Sequence, residues 1–181
     1  MTTHVALLRG INVGGKNRIP MPVLREVLED LGHQGVRTYV QSGNVVFDSR
    51  SSAPNKIAAD IERAVSGTFG LTISVLVRTR RGLERVAGGN PFPTKGVNPS
   101  SLHVVFLADR PSAKAVRTLD PNHSPPDEFV VVGREIFLRF ASGSARSKLN
   151  LDYFERGLGT RATARNWNTV LKLLDLMKSA R

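Results

Sequence analysis

"VRTYVQSGNVVF", residues 36 to 47, decides the architecture. Two runs rich in β-branched and aromatic residues, VRTYV and NVVF, flank the turn formers Ser42-Gly43-Asn44, so the stretch reads as a β-hairpin. A hairpin makes consecutive strands antiparallel, and this conflicts with the alternating parallel order of nucleotide-hydrolysing α/β folds.

Working outward, "HVALLRG" (4–10) is an apolar run without alternation, as a central strand buried on both faces requires. Pro20 and Pro22 then precede "VLREVLEDL" (23–31), whose Val23, Leu24, Val27, Leu28 and Leu31 recur at helical spacing, with Gly32 as a stop. After the hairpin, "NKIAADIERAV" (55–65) presents Ile57, Ile61, Ala64 and Val65 on one helical face, and "TISVLV" (72–77) closes as a strand. The order is β-α-β-β-α-β.

The same order restarts near residue 102. "LHVVFLA" is a strand, "AKAVRTL" a short helix, and "FVVVGREIFLRF" two strands joined at Gly133-Arg134, where Gly supplies the positive φ of a type II′ turn. "LNLDYFERGL" is a helix, followed by a short strand around Thr160 to Ala164. The fold class is therefore α+β: two ferredoxin-like (βαββαβ) α/β plaits with an additional C-terminal helix. The expected domains are 1–78, the first plait, and 102–181, the second plait with that helix. Between them, 79–101 is a helical linker and Gly/Pro/Asn-rich connector. In the final helix Trp167, Val170, Leu171, Leu174 and Met177 form an apolar stripe, with Asn166 or Asn168 as N-cap.

Composition removes several chemistries. With no cysteine there is no disulfide, thiolate nucleophile or Cys-based zinc site. The four histidines, His4, His33, His103 and His123, have no metal-ligand spacing, so neither metal nor cofactor is expected. No nucleophile elbow, Ser-His-Asp signature or pair of carboxylates with distinct surroundings stands out. The chain lacks a continuous apolar span and its first residues lack the order of a signal peptide, so the expected location is cytoplasmic, with no membrane partner.

Charge is the strongest compositional signal. The formal net charge is +11, with nine Lys/Arg against six Asp/Glu through residue 78 and seventeen against nine beyond it. Such an excess attracts polyanions, with nucleic acid or a phosphate-containing small molecule as candidate partners; it also serves solubility, since no run of five or six basic residues occurs.

"LLRGINVGGKN" (7–17) nearly spells a phosphate-binding loop: Gly10, Gly15 and Lys16 fit, but Asn17 replaces the magnesium-ligating Ser or Thr. Pro20 also delays the helix start beyond Lys16, so nucleotide hydrolysis is not the expected chemistry. Two readings stay open for this loop. Gly10, Gly14 and Gly15 with Arg9, Lys16 and Arg18 and the amides of Asn12 and Asn17 would hold a phosphate or carboxylate, or the glycines simply serve a crossover with unusual φ angles. "SGSARSK" (142–148) would likewise present Arg146 and Lys148 to an anion. Gln41, Ser42 and Asn44 form a polar hairpin tip, and Trp167 between Asn166 and Asn168 either stacks on a ligand or belongs to the core. RNA recognition through strand aromatics is poorly matched, because Phe137 and Phe140 fall on opposite faces.

The stretches LLRGINVGGKN, YVQSGNVVF, NPF (90–92), SKL (147–149) and RNWNT (165–169) resemble, in order, the blocks of a bacterial family catalogued as domain of unknown function 1697. The resemblance implies two ferredoxin-like plaits and no established activity. It picks out Arg9, Gly10, Asn12, Gly14, Gly15, Lys16, Ser42, Gly43, Asn44, Asn90, Pro91, Phe92, Ser147, Lys148, Arg165, Asn166, Trp167 and Asn168. The function expected is binding of an anionic ligand by basic Gly-rich loops, centred on Arg9, Lys16, Lys148 and Arg165. The alternatives are an enzyme acting on a small phosphorylated or carboxylated substrate, and a dimerisation module.

Overall fold

The apolar run at the start becomes β1, Thr2–Leu8, and Val5 to Leu8 are wholly buried. The reason is its central place: β1 pairs antiparallel with β3 (Asn44–Ser49) on one side and β4 (Val75–Thr79) on the other. The hairpin partner β2, Gln34–Tyr39, forms the edge, giving the strand order β2-β3-β1-β4. Helices α1 (Met21–Asp30) and α2 (Pro54–Phe69) supply Leu24, Leu28, Ile57, Ile61 and Val65 to a core with Ala6, Leu8, Val45, Phe47, Val75 and Val77. Each such side chain contributes about 1.5–3 kcal/mol when fully buried.

The computed structural model describes residues 1–179 of the chain. It divides into two compact units, Met1–Arg85 joined by the chain from Lys172 on, and Val86–Leu171. The segment expected as a connector holds α3, Arg80–Gly88, and a 3-10 turn at Pro99–Ser101. In the second unit β5 (Leu102–Leu107) is central, between β7 (Glu135–Arg139) and β8 (Ala162–Asn166), with β6 (Glu128–Val132) at the edge. Helices α4 (Ala113–Arg117) and α5 (Leu151–Leu158) follow β5 and β7. Leu119, Phe154 and Leu158 pack with Val105, Leu107, Ile136 and Leu138. The β6–β7 turn has positive φ at Gly133 (61°) and not at Arg134, as its sequence requires. Both sheets are antiparallel throughout, and the chain is a mixed α+β protein. Among the described residues no helix is long and apolar enough to cross a membrane.

The repetition extends to individual register positions. His4 pairs across to Phe47 and Thr79, and His103 to Leu138 and Asn166; Arg78 on β4 pairs with Val5 as Arg165 on β8 pairs with Val104. The last helix, α6 (Trp167–Lys178), follows β8 directly, as α3 follows β4. The C-terminal helix therefore has a counterpart after the first sheet. One detail of that helix corrects the sequence reading, and a second decides between its two candidate caps. Leu171 is exposed and Leu173 buried with Trp167, Val170, Leu174 and Met177, since the buried stripe advances by three and four residues. Asn166, not Asn168, is the cap: its Oδ1 accepts the Thr169 N–H at 2.8 Å.

Three imidazoles lie inside these frames. His4 is fully buried, donates from Nδ1 to the Thr2 carbonyl oxygen at 2.8 Å, and faces Phe47, whose other neighbour is His33. His103 meets the edge of Phe140. One ring nitrogen in each, Nε2 of His4 and His33 and Nδ1 of His103, is buried without a hydrogen-bond partner. Burial therefore lowers all three pKa values below the ordinary 6.5, and the His4–His33 proximity adds to the effect at His33. Folding disfavours protonation of these rings, so the unfolded chain binds more protons below pH 6.5. Stability should be full above that pH and fall as acid is added. Urea denaturation at a series of pH values is expected to show this loss, with a shallower slope for His4→Gln; an unchanged midpoint down to pH about 5 contradicts the assignment.

Candidate functional site

Residues 9–20 link β1 to α1, and their backbone chemistry folds the middle into a small hairpin. Lys16 N–H donates to the Val13 oxygen at 3.0 Å and Asn12 N–H to the Asn17 oxygen at 3.1 Å. Gly14 and Gly15 both take positive φ, 57° and 74°, the two left-handed positions of a type I′ turn. A phosphate-binding loop would instead run straight into a helix at Lys16; here the helix begins at Met21, and the hairpin occupies the space between.

One side chain holds this loop to the rest of the unit. Asn12 Nδ2 donates to the carbonyl oxygens of Ile19 at 3.0 Å and Gln41 at 2.8 Å, while its Oδ1 accepts the Ile19 N–H at 2.9 Å. Asn17 Nδ2 donates to the Gly10 oxygen at 3.0 Å. Both backbones are left-handed, φ 54° and 49°, which Asn tolerates better than other side chains. These amides close the loop instead of pointing at a ligand. Below them the β2–β3 connection is drawn in tightly: Leu8 N–H donates to the Gly43 oxygen at 2.8 Å, and a Cβ at Gly43 would stand 2.8 Å from that of Leu8. Val40, β-branched and half exposed, is held at φ 50° in the same connection, a strained conformation.

Together these constraints leave a pocket of about 590 Å³ lined by Asn12, Gly15, Arg18, Ile19, Gln41 and the first turn of α1. That turn has no side-chain cap and no acidic residue, and Pro20 and Pro22 leave Met21 and Val23 as its N–H donors. The positive end of α1 thus opens on a pocket whose one charged lining residue is the exposed guanidinium of Arg18. Lys16 is exposed on the hairpin beside it, and Arg9, half-buried, donates its backbone N–H to the Ser74 oxygen at 2.9 Å. Arg18 and Gln41 matter more than the Gly-Lys pattern suggests, because a pocket wall is set by contacts that spacing along the chain does not encode.

The other expected site residues are distributed differently. Ser42 is exposed, whereas Asn44 is the first residue of β3, wholly buried, its amide donating to the Tyr39 oxygen and Ser42 Oγ. Asn44 therefore locks the hairpin from inside rather than facing a ligand. Trp167 is 3% exposed and belongs to the core, so its ring offers no stacking face. Asn166 caps α6. Arg165 Nη1 donates to Thr163 Oγ1 and the Ala164 oxygen at 2.9 and 2.8 Å, and burial lowers its pKa to about 10, leaving a cation at neutral pH. Lys148 is exposed in the second unit. Among the described residues no group of three or more His, Asp or Glu is arranged to hold a metal ion.

Two antiparallel sheets of the same strand order, the first unit carrying the pocket at Arg18, define the class as a mixed α+β protein. The chain belongs to the family described as protein of unknown function (DUF1697), whose model matches residues 1–137. That segment contains the LLRGINVGGKN, YVQSGNVVF and NPF blocks; SKL and RNWNT lie beyond it. Among solved structures, a conserved bacterial protein from Streptococcus pneumoniae is similar with a TM-score of 0.74 and 22% identity, over 97% of this chain and 98% of that one. The likeness is one of fold. No curated protein matches the chain.

The clamp role of Asn12 predicts that Asn12→Ala destabilises the first unit by about 2–4 kcal/mol, from lost hydrogen bonds and a left-handed Ala. Chemical denaturation measures the loss. Hydrogen exchange should show faster exchange at Asn12, Lys16 and Ile19 than in wild type, while second-unit amides keep their protection.

Proposed function

We propose that the chain is a non-catalytic binding protein built of two ferredoxin-like α/β plaits, with residues 79–101 as connector, and that the first plait binds the phosphate of a small phosphorylated molecule. The βαββαβ element order and the strand order β2-β3-β1-β4 support the fold reading. The observation that carries the function is the pocket beneath the Asn12 clamp, where Arg18 and the uncapped, unacidified first turn of α1 face the same space. Helix N-termini favour anions, and a guanidinium adds charge-assisted hydrogen bonds to a phosphate. Lys16, exposed on the hairpin, adds long-range attraction.

Pocket dimensions favour a small ligand over a polymer, since about 300–1,000 Å³ is the usual range for small-molecule sites. Titration calorimetry with inorganic phosphate and a set of nucleoside monophosphates is expected to detect binding in wild type. Arg18→Ala should weaken it by about tenfold or more, and Lys16→Ala by less, with steeper salt dependence in wild type. Equal affinity in wild type and Arg18→Ala overturns the site. Binding of single-stranded DNA or RNA that is stronger than that of any monophosphate, and falls steeply between low and high salt, would replace the small ligand by nucleic acid.

A further inference from the structure

The loops around α5 border a second, open pocket, of about 600 Å³, lined among others by His123, Lys148, Asp152, Tyr153 and Arg156. Its walls are fixed before any ligand arrives. The His123 ring stacks on Tyr153 with centroids 3.8 Å apart and planes 8° from parallel. Both residues are tied to Asp120: the His123 backbone N–H donates to its backbone oxygen at 3.1 Å, and the Tyr153 hydroxyl accepts its N–H at 2.9 Å. Behind them α5 lies so close to the end of α4 that a Cβ at Gly157 would stand 2.6 Å from Leu119 Cδ2.

The SKL stretch has a physical explanation here. Ser147 Oγ accepts the Leu149 N–H at 3.2 Å, Leu149 is buried, and Lys148 N–H donates to Ser124 Oγ at 3.0 Å. Its neighbours anchor the chain, and the Lys148 side chain is left exposed on the pocket. Arg156, also exposed, supplies a second cation from α5, and Asp152 a carboxylate. Two cations and one carboxylate fit an anion that also carries hydrogen-bond donors, while a flat aromatic wall fits the C–H face of a sugar ring.

We propose that this pocket binds a sugar phosphate: the phosphate monoester held by Lys148 and Arg156, a hydroxyl donating to Asp152, and the ring lying against the His123–Tyr153 stack. The assignment does not rest on the pocket at Arg18.

The test is an amide-NMR titration of the full chain with glucose 6-phosphate, ribose 5-phosphate, inorganic phosphate and glucose, each to about 10 mM. At least one sugar phosphate is expected to shift resonances at residues 120–124 and 147–157 and to bind more tightly than inorganic phosphate or glucose. The Lys148→Ala, Arg156→Ala double variant should weaken this by about tenfold or more. Asp152→Asn should weaken the sugar phosphate but not inorganic phosphate, and Arg18→Ala should leave these shifts unchanged. If the double variant melts early, Lys148→Gln alone gives the comparison. The proposal is overturned if no sugar phosphate moves those resonances, if the Lys148 and Arg156 substitutions leave affinity unchanged, or if Arg18→Ala abolishes the shifts.

Discussion

Pairing of a buried, largely apolar strand on both of its edges is the constraint on which each unit depends. β1 and β5 exchange hydrogen bonds with antiparallel neighbours on either side, which satisfies their backbone groups while Val5 to Leu8 and Val104 to Leu107 are withdrawn from water. Burial on both faces accounts for the lack of alternation in these runs. It also fixes the departure of the chain: Leu8 and Arg9 donate to Gly43 and Ser74, so the loop after β1 starts from a point already tied to the ends of two other strands.

From that fixed point the two units diverge. Twelve residues, 9–20, separate β1 from α1, while five, 108–112, separate β5 from α4. The longer loop has room for a type I′ hairpin, but a free loop of that length would carry unpaired backbone groups and conformational entropy. Asn12 removes much of both by bonding Ile19 and Gln41 at once. That closure separates the pocket at Arg18 from a merely basic loop, because a wall held by hydrogen bonds loses less entropy when a ligand binds. In the second unit the same service is performed by other residues: Asp120, Ser124 and Ser147 anchor the pocket wall, and α5 supplies Arg156.

Much of the framework was legible in the amino-acid order. The apolar runs at residues 4–10 and 102–108, the helical spacing of Leu24, Val27 and Leu28 (Leu31 of the same run ends up exposed past the helix) and of Ile57 to Val65, and the glycines at 43 and 133 each encode a local preference that tertiary packing reinforces. Side-chain roles were less legible where one residue type serves two ends. Asparagine is both a ligand donor and a loop closer, and at positions 12, 17 and 44 it closes loops. Tryptophan at a helix start is both a stacking platform and a core residue, and Trp167 is core.

By itself the sequence determined the mixed α+β class, the repeated element order and the strongly basic character, since these follow from periodicity and composition, which are local or additive. Only the tertiary structure decided which charges line a pocket. Arg18 and Gln41 line one pocket, and Lys148, Arg156 and His123 line another, across separations set by where loops are anchored. Those anchors are hydrogen bonds between residues distant along the chain, such as Asn12 to Gln41 and Lys148 to Ser124. Contacts of that kind leave no periodic trace in a sequence, because each depends on the folded path of the backbone between its two ends.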